Sequence, residues 1–311
     1  MMKTTKLGFI IFIGVFLLTI GTAGCGSQDN PVSNGKADDV PVEGGFFEIT
    51  GSDSEVNVVQ ALVEAFADVN KETDFSVTGG GSGVGIAAII NGTADIANSS
   101  RPMSDDEIAQ AKANNVDPVP IVFAFDGVAA VVNAENPVTE LTLEQLGKIY
   151  AGTITNWSEV GGENLPITLF GRQPTSGTFV FFRDLVVKGD YSPNMNQMPG
   201  TSAIVEGVTQ DKGGIGYAAI GYVKGTEGIA AVNIATSAGA EYISPLDDEK
   251  VFSGQYALTR PLFQYVNGKP TGALKEFFEF ELSPAGQEIV VAQGFLPVTP
   301  EYVQKNLEYL H

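Results

Sequence analysis

Histidine and cysteine are almost missing from this sequence of 311 residues, since each occurs once. The histidine is the last residue, His311, and the cysteine is Cys25, near the amino terminus. A serine–histidine–aspartate triad, a cysteine–histidine pair and a zinc site all need more of these side chains than the chain provides. A single cysteine also excludes an internal disulfide. We therefore expect no catalytic residue of these kinds, no metal ion and no cofactor, and carboxylate chemistry is the enzymatic possibility that remains.

Positive charge is scarce as well. The sequence has 17 lysines and arginines against 37 aspartates and glutamates, which gives a formal net charge of −20. Proteins bind nucleic acids through clusters of positive side chains that neutralise phosphates. The charge balance therefore argues against a nucleic-acid partner, and it favours a soluble monomer because a strong net charge opposes self-association.

The first 25 residues, MMKTTKLGFIIFIGVFLLTIGTAGC, differ from the rest of the chain. Lys3 and Lys6 precede an apolar run over residues 7–20, which is short for a membrane span and typical of the central part of a signal peptide. The segment ends in TAGC, which resembles a bacterial lipobox, a motif whose cysteine is lipidated. The leucine that usually opens this motif is replaced here by Thr22.

This pattern predicts that residues 1–24 are a signal peptide. Cys25 would then carry a lipid that anchors the protein to the cell membrane on its extracytoplasmic side, in the periplasm or on the outer face. The alternative is an uncleaved anchor in which the cysteine is incidental. Residues 25–45 are polar, with scattered proline and glycine and no apolar periodicity, so we expect a flexible tether. The fold is predicted to begin at Phe46.

After the tether, segments with the apolar pattern of strands alternate with segments that have the pattern of helices. FFEIT is typical of a strand, and the next segment has Val56, Val59, Val63 and Phe66 on one helical face. DFSVT, ADIANSS and PITLF are further strands that precede helical segments. Such alternation builds mostly parallel sheets covered by helices, and it predicts an α/β fold. Ligands of such folds bind at the loops that follow the carboxyl ends of the strands.

Four strand-to-helix loops share glycines and hydroxyl side chains. They are GSDSE (51–55), GGGSGVG (79–85), NSSRP (98–102) and GRQPTSGT (171–178). Hydroxyls and the N–H groups at a helix start donate hydrogen bonds, and guanidinium groups bind two oxygens of a tetrahedral anion at once. The third and fourth loops add such groups through Arg101 and Arg172. We interpret the four loops together as a site for one small oxyanion.

Each of these features alone has a purely structural interpretation. A serine before a helix is commonly just an N-cap, and GGGSGVG lacks the lysine of a phosphate-binding P-loop and could be a tight turn. Arg172 could form a structural ion pair. Asp126, inside the apolar run PIVFAFDGVAAVVN, could be a turn residue or a functional carboxylate. The functional interpretation depends on the recurrence of such loops in one α/β chain.

Seven segments match a known pattern: GSDSEVN, TGGGSGVGIAAIINGTADIANSSRPMS, FDGVAAVVN, TITNWSEVGG, GRQPTSGTF, GGIGYAAIGY and GFLPV. The most specific features are Arg-x-x-x-Ser-Gly-Thr, at 172–178, and the glycine–serine loop before a short helix. Through these segments nearly all of residues 46–311 resembles the phosphate-binding lipoproteins of ABC-type phosphate importers. The resemblance implies the type II periplasmic-binding-protein fold, with two lobes and two hinge crossovers. It also implies a receptor that binds inorganic phosphate and delivers it to a membrane permease and its ATPase.

Carried over motif by motif, the resemblance implies a set of phosphate contacts. The Arg172 guanidinium would bind two anion oxygens, and the other residues would donate from hydroxyl groups or, as at Glu55, from the backbone amide. The implied ligand-binding residues are Ser54, Glu55, Ser82, Ser100, Arg172, Ser176, Gly177 and Thr178.

The chain departs from the family in two places. Family members commonly have an aspartate at the position of Ser100 and another within the segment that is 173–175 here. Such a carboxylate accepts the proton that phosphate carries and sulfate lacks. Asp53 and Asp126 are our candidates to replace it, and Arg101 would add positive charge or hold a neighbouring carboxylate.

The family pattern also divides the chain. Residues 46–125 and 256–311 would form lobe one and residues 126–255 lobe two, so that an anion between them would favour the closed form. Three alternatives remain open: a receptor for phosphite, a phosphonate or sulfate; a surface phosphate sensor; and a phosphatase. A phosphatase would need a metal ion or a nucleophile with a base.

Overall fold

The computed structural model describes residues 44–311, so the predicted signal peptide, Cys25 and nearly all of the tether lie outside the described residues. The strands are β1 (Phe46–Gly51), β2 (Asp74–Thr78), β3 (Ile96–Ser99), β4 (Pro118–Asn133), β5 (Glu140–Thr142), β6 (Thr168–Arg172), β7 (Asn196–Met198), β8 (Gly214–Ala219), β9 (Ile229–Ala231), β10 (Asn233–Ala235), β11 (Thr259–Asn267) and β12 (Leu296–Pro297). The α-helices are α1 (Val56–Phe66), α2 (Ser82–Ile90), α3 (Asp105–Ala113), α4 (Leu143–Tyr150), α5 (Gly177–Phe182), α6 (Thr201–Gln210), α7 (Asp248–Phe252), α8 (Gly272–Glu281), α9 (Pro284–Ala292) and α10 (Pro300–Leu310).

Ten strands form one sheet, in which the order β2-β1-β3-β11-β4-β8-β6-β7 is joined by β9 and β12 on β4. β1 is parallel to β2 and β3, and β6 is parallel to β7 and β8. Every antiparallel pair in this sheet involves β4 or β11. The predicted α/β fold is confirmed, with parallel strands on either side of the antiparallel pair β4 and β11.

β4 joins the two parts of the sheet. Its 16 residues include only three that are not fully buried, as expected for an apolar run covered on both faces. The first part of β4 pairs with β11, and the second part pairs with β8 and β9. We call β1, β2, β3, β11 and the first part of β4 the β1 side, and β6, β7, β8 and the rest of β4 the β6 side.

Each side has its own hydrophobic core. On one face of the β1 side, Ile49 and Ile96 pack against α1, α8 and α9, and Phe277 lies in the same cluster. On the opposite face, Ala97 and Tyr265 pack against α2 and α3. A separate cluster fills the β6 side, with contributions from α4, α5 and α6.

The helix starts follow the sequence closely. Ser104 caps α3, and the Glu107 side chain returns to the Ser104 N–H, which completes a capping box. GSDSE, GGGSGVG and GRQPTSGT lead directly into α1, α2 and α5, whereas NSSRP ends two residues before the Ser104 cap. Within residues 44–311, no helix combines the length and the apolar character that a membrane crossing requires.

Candidate anion-binding site

Loops from both sides of the sheet bring four hydroxyl groups together, just beyond the carboxyl ends of the strands. Ser54 Oγ lies 3.0 Å from Thr178 Oγ1, although 124 positions separate the two residues. Ser82 Oγ lies 3.3 Å from Ser100 Oγ and accepts the Ser100 N–H at 3.1 Å. The four residues, called here the hydroxyl cluster, are each at most 2% exposed. The structure thus brings together residues from all four loops that the sequence singled out.

Two glycines allow the loops to approach one another. A Cβ atom on Gly177 would overlap Ser82 Oγ and would lie 2.7 Å from Ser100 Oγ. Gly81 has a φ of +100°, and a Cβ atom there would lie 2.7 Å from the Thr175 carbonyl oxygen. Any side chain at these positions would force the backbone or the hydroxyl groups to move.

Backbone hydrogen bonds also connect the two sides at this point. The Gly83 N–H donates to the Thr175 carbonyl at 2.8 Å, and the Thr175 hydroxyl donates to the Gly80 carbonyl at 3.3 Å. The start of α2 is therefore in direct contact with the loop before α5, and the hydroxyl cluster is closed off from solvent.

Arg172 is the last residue of β6, and its side chain is 2% exposed. Nη1 donates to Thr201 Oγ1 at 3.3 Å, and Nη2 donates to the Pro199 carbonyl at 3.2 Å. Nη2 also forms an ion pair with Asp53, the residue before Ser54. Nε is buried and has no hydrogen-bond partner among the described residues. Because a buried donor without a partner is costly, Nε is a group that an anion would stabilise.

Arg260, near the start of β11, is a second buried guanidinium at the site, and the sequence analysis missed it. It is 3% exposed, Nη2 lies 3.5 Å from Ser54 Oγ, and Nη1 donates to the Ser100 carbonyl at 3.2 Å. The guanidinium carbon Cζ of Arg260 lies over the Phe181 ring, 5.3 Å from the ring centroid. The sequence did contain a feature that points to Arg260. It lies in the apolar strand TRPLFQYV, and an arginine in a buried strand must be either paired or functional.

Asp126, one of the two candidate proton acceptors, is the partner of Arg260. The two residues face each other in the β4–β11 register, and Nε and Nη2 of Arg260 donate to Asp126 Oδ2 at 3.0 and 2.8 Å. Asp126 Oδ1 accepts the Ile220 N–H at 3.1 Å. Burial raises the pKa of Asp126, and the Arg260 charge opposes this shift. Both carboxylate oxygens of Asp126 thus accept from protein donors, and its role as an acceptor of the phosphate proton stays a prediction.

Asp53, the other candidate acceptor, is engaged as well. Its Oδ1 accepts the Gly80 N–H at 3.1 Å, and its Oδ2 is paired with Arg172. The Asp53 side chain is 18% exposed, in contrast to the fully buried Asp126. Asp53 thus orients Arg172 and keeps a carboxylate beside the predicted site.

Two further predicted phosphate contacts have protein partners. The Glu55 N–H donates to the Ser52 carbonyl at 3.1 Å, so this amide closes the turn before α1. Ser176 is the N-cap of α5, and its Oγ accepts the Phe179 N–H at 3.4 Å. A hydroxyl that accepts one hydrogen bond can still donate its own hydrogen, so Ser176 stays a predicted phosphate ligand, as does Glu55.

Arg101 points to a structural partner outside the hydroxyl cluster. Its Nη1 and Nη2 each donate to one oxygen of Glu107 at 2.7 Å, and Nη1 also donates to the Pro102 carbonyl. Burial alone would raise the pKa of Glu107, but Arg101 and the Ser104 groups hold it below its ordinary value. Of the two predicted roles of Arg101, the structure favours that of holding a neighbouring carboxylate.

The site as a whole offers donors to a small anion and no evident reactive group. One guanidinium, that of Arg260, contacts the hydroxyl cluster at Ser54, and that of Arg172 is joined to the residue before Ser54; each is paired with an aspartate. Within residues 44–311, no group of three or more His, Cys, Asp or Glu side chains is arranged to hold a metal ion. Hydroxyl donors with guanidinium charge suit an oxyanion, and they do not by themselves activate a nucleophile.

Known proteins share this arrangement of loops and strands. Residues 27–285 match the model of the PBP superfamily domain. The phosphate-binding protein PstS of Pseudomonas aeruginosa is 30% identical over 284 residues, which cover 86% of this chain and 87% of that protein. The chain belongs to the PstS family of the PBP superfamily. PstS of Bacillus subtilis is 28% identical over 306 residues, 98% of each chain.

Solved structures agree with this membership. A substrate-binding protein from Clostridium perfringens, solved with bound phosphate, has a TM-score of 0.74 and 30% identity. The match covers 82% of this chain and all of that one. An ABC-type phosphate transport receptor from Vibrio cholerae has a TM-score of 0.65 and 30% identity, over 81% of this chain and all of that one. The type II periplasmic-binding-protein fold implied by the sequence is confirmed.

Proposed function

We propose that this protein is an extracytoplasmic receptor that captures inorganic phosphate and delivers it to the permease and ATPase of an ABC importer. The observation that carries the proposal is the hydroxyl cluster, with the buried guanidinium of Arg260 at Ser54 and that of Arg172 paired with the preceding residue, Asp53. Hydroxyl and guanidinium donors that converge from several loops suit the oxygens of one tetrahedral anion. The names of the PstS relatives and the phosphate in the Clostridium perfringens structure support this ligand.

We further propose that the hydroxyls of Ser54, Ser82, Ser100 and Thr178 donate to phosphate together with the guanidinium of Arg172. Three or more charge-assisted hydrogen bonds, at about 1.5–3 kcal/mol each, supply most of the roughly 8 kcal/mol of a micromolar site. Arg260 adds positive charge behind Ser54. Gly177 leaves room for the loops, and its amide starts α5 beside Thr178.

Phosphate entry requires the two sides to separate, because every residue of the hydroxyl cluster is at most 2% exposed. We propose that residues 46–125 with 256–311 and residues 126–255 move as two lobes. The separate hydrophobic cores of the β1 and β6 sides support this division, and the crossovers are β4 and the segment that leads into β11. Contacts across the lobes, such as Ser54 with Thr178, would then make the anion favour the closed form.

The proposed anchor and assembly rest on the sequence. We propose that Cys25 carries the lipid, that residues 25–45 tether the receptor to the membrane, and that the receptor acts as a monomer. We also propose that it is not an enzyme, since a phosphatase would need a metal ion or an activated nucleophile.

A receptor for sulfate as well as phosphate is the second candidate. Asp53 and Asp126 both already accept from protein donors, so neither carboxylate is reserved for the phosphate proton. Discrimination against sulfate depends on such an acceptor. The two candidates differ in the anion they bind, not in the site.

Calorimetry tests the proposal directly. The purified protein is titrated with phosphate, sulfate and a phosphonate between pH 5 and 9, and a generic phosphate ester is incubated with it with and without divalent metal. We expect micromolar or tighter phosphate binding and no ester turnover. Equal affinity for sulfate would establish the second candidate, and absence of binding by all three anions would contradict both.

A further inference from the structure

Four polar side chains are buried together inside the β1 side, in the layer between the sheet and helices α1 and α8. They are the carboxyl groups of Glu55 and Glu281 and the amide groups of Asn98 and Gln264, and each residue is 0% exposed. None of their eight side-chain nitrogen and oxygen atoms makes a well-formed hydrogen bond among the described residues, although burial, which raises the pKa of Glu55, is partly opposed by the nearby Ser52 side chain and Ser99 backbone. Buried polar groups are almost always bonded, so these four side chains need an explanation.

The topology places all four on one face. Asn98 and Gln264 are directly opposite each other in the β3–β11 register, so their side chains lie on the same face of the sheet. That face is the one on which Ile96 and Leu262, two positions away on the same strands, pack against α1 and α8. The amides therefore point into this layer.

The two carboxyl groups enter the same layer from the helices. Glu55 immediately precedes α1, and Glu281 is the last residue of α8, on the same helical face as the core residues Phe277 and Phe278. The Glu55 charge is close enough to raise the pKa of Glu281 further, beyond the larger effect of burial. We call Glu55, Asn98, Gln264 and Glu281 the buried quartet.

Two buried carboxylates need a compensating positive charge, because the desolvation of an unpaired ion costs several kcal/mol or more. The nearest cation to Glu55 is Arg260, which is already paired with Asp126. Protonation is the other route. Two neutral carboxylic acids and two amides each carry a donor and an acceptor and could bond to one another directly, yet none of the four does.

We propose that the buried quartet is a binding site for one divalent cation of the size of Ca²⁺. Oxygens that face a common cation do not hydrogen-bond to one another, which accounts for the six unpartnered oxygens. Carboxylate and amide oxygens are the ligands that Ca²⁺ takes, in variable geometry, and two carboxylates balance its charge. Mg²⁺ fits less well, because it keeps several waters and the layer is closed.

The inference is independent of the proposed anion site and is tested without phosphate. The protein is stripped with a chelating resin, its metal content is measured by elemental mass spectrometry, and its melting temperature is followed as CaCl₂, MgCl₂ or NaCl is added. We expect about one equivalent of bound Ca²⁺ and a saturable rise of about 5 °C or more, larger than with Mg²⁺ or Na⁺.

The double variant Glu55→Gln/Glu281→Gln should lose the rise, while the exposed Glu279→Gln on the same helix should keep it. The cation titration of the unmodified protein stands even if the double variant fails to fold. An unmodified protein that binds no Ca²⁺ and melts at the same temperature with and without it would overturn the proposal. A melting temperature that responds to acidification and to no added cation would overturn it too, since the carboxyl groups would then carry protons.

Discussion

The two buried arginine–aspartate pairs differ in what they connect. Arg260 and Asp126 lie opposite each other on neighbouring strands, and both side chains are at most 2% exposed. Arg172 and Asp53 are 119 positions apart and join the end of β6 to the loop after β1. All three guanidinium nitrogens of Arg260 have a partner, whereas Nε of Arg172 has none among the described residues.

This difference separates a fixed pair from a responsive one. The Arg260–Asp126 pair is held by the sheet itself, and its role is to keep positive charge beside Ser54 without an unpaired ion in the core. The Arg172–Asp53 pair joins the two sides of the sheet, and the proposed opening of the lobes would break it. We therefore expect substitutions of the first pair to act mainly on stability and substitutions around the second to act mainly on anion binding.

The largest expected effect is on stability, from Arg260→Leu. It leaves Asp126 buried and unpaired, and loss of one partner of a buried ion pair costs about 3–5 kcal/mol of unfolding free energy. Urea unfolding measures the loss. Arg260→Leu/Asp126→Leu should regain most of it, because no charge then remains in the core.

The control for this prediction is Arg183→Leu, which removes the exposed ion pair with Asp184 and should cost less than about 1 kcal/mol. If the single and double variants at Arg260 and Asp126 lost the same stability, the pair would not be the reason for the loss.

A smaller effect, on phosphate affinity, is expected from Gly177→Ala. The added methyl group would overlap Ser82 Oγ and press on Ser100 Oγ, which would push α5 away from the first three loops. We expect phosphate affinity to fall about tenfold or more, which is about 1.4 kcal/mol, measured by calorimetry. Gly189→Ala is the matched control, because the nearest atom to its added Cβ lies 4.0 Å away. Equal affinities of the two variants would show that the loops need not close this tightly.

The smallest effect is expected at Arg101, which sequence analysis grouped with Arg172. Arg101→Ala should cost about 1 kcal/mol of stability at pH 7 and leave phosphate affinity within about twofold. Since the folded state lowers the pKa of Glu107, its contribution is present above the ordinary value of 4.5 and is lost as the pH falls through the folded value. The stability difference between the variant and the parent should therefore disappear in acid unfolding series. A large drop in affinity would place Arg101 in the anion site after all.

Local patterns in the sequence predicted most of the fold. The apolar spacing of α1 and the alternation of short strands with helices each depend on neighbours in the chain. The antiparallel pairing of β4 with β11 could not be predicted in this way, because it joins segments more than a hundred positions apart and leaves no local periodicity.

The loops of the candidate site could be predicted from the sequence, whereas the charged residues that pair beside them were harder to predict. Ser54, Ser82, Ser100 and Thr178 were identified from loop composition and the family pattern, and the structure brings them together. Arg260 was missed because it lies within strand β11 and not in one of the four strand-to-helix loops. Its role appears only when β11 is placed between β3 and β4.

The aspartates show the same limit. Their presence near the site was inferred correctly, but a carboxylate in the sequence does not reveal its donor. Asp126 is paired with Arg260 and accepts the Ile220 N–H. Asp53 is paired with Arg172 and accepts the Gly80 N–H. The buried quartet was not anticipated at all, since its members are scattered from Glu55 to Glu281.

Phosphate calorimetry on Arg172→Ala tests the central claim most directly, with Arg183→Ala from the same side of the sheet as its control. Our account predicts a fall in affinity of at least about 100-fold for the first variant, equivalent to about 2.7 kcal/mol, and a change within about twofold for the second. A folded Arg172→Ala protein that binds phosphate as tightly as the parent would contradict it.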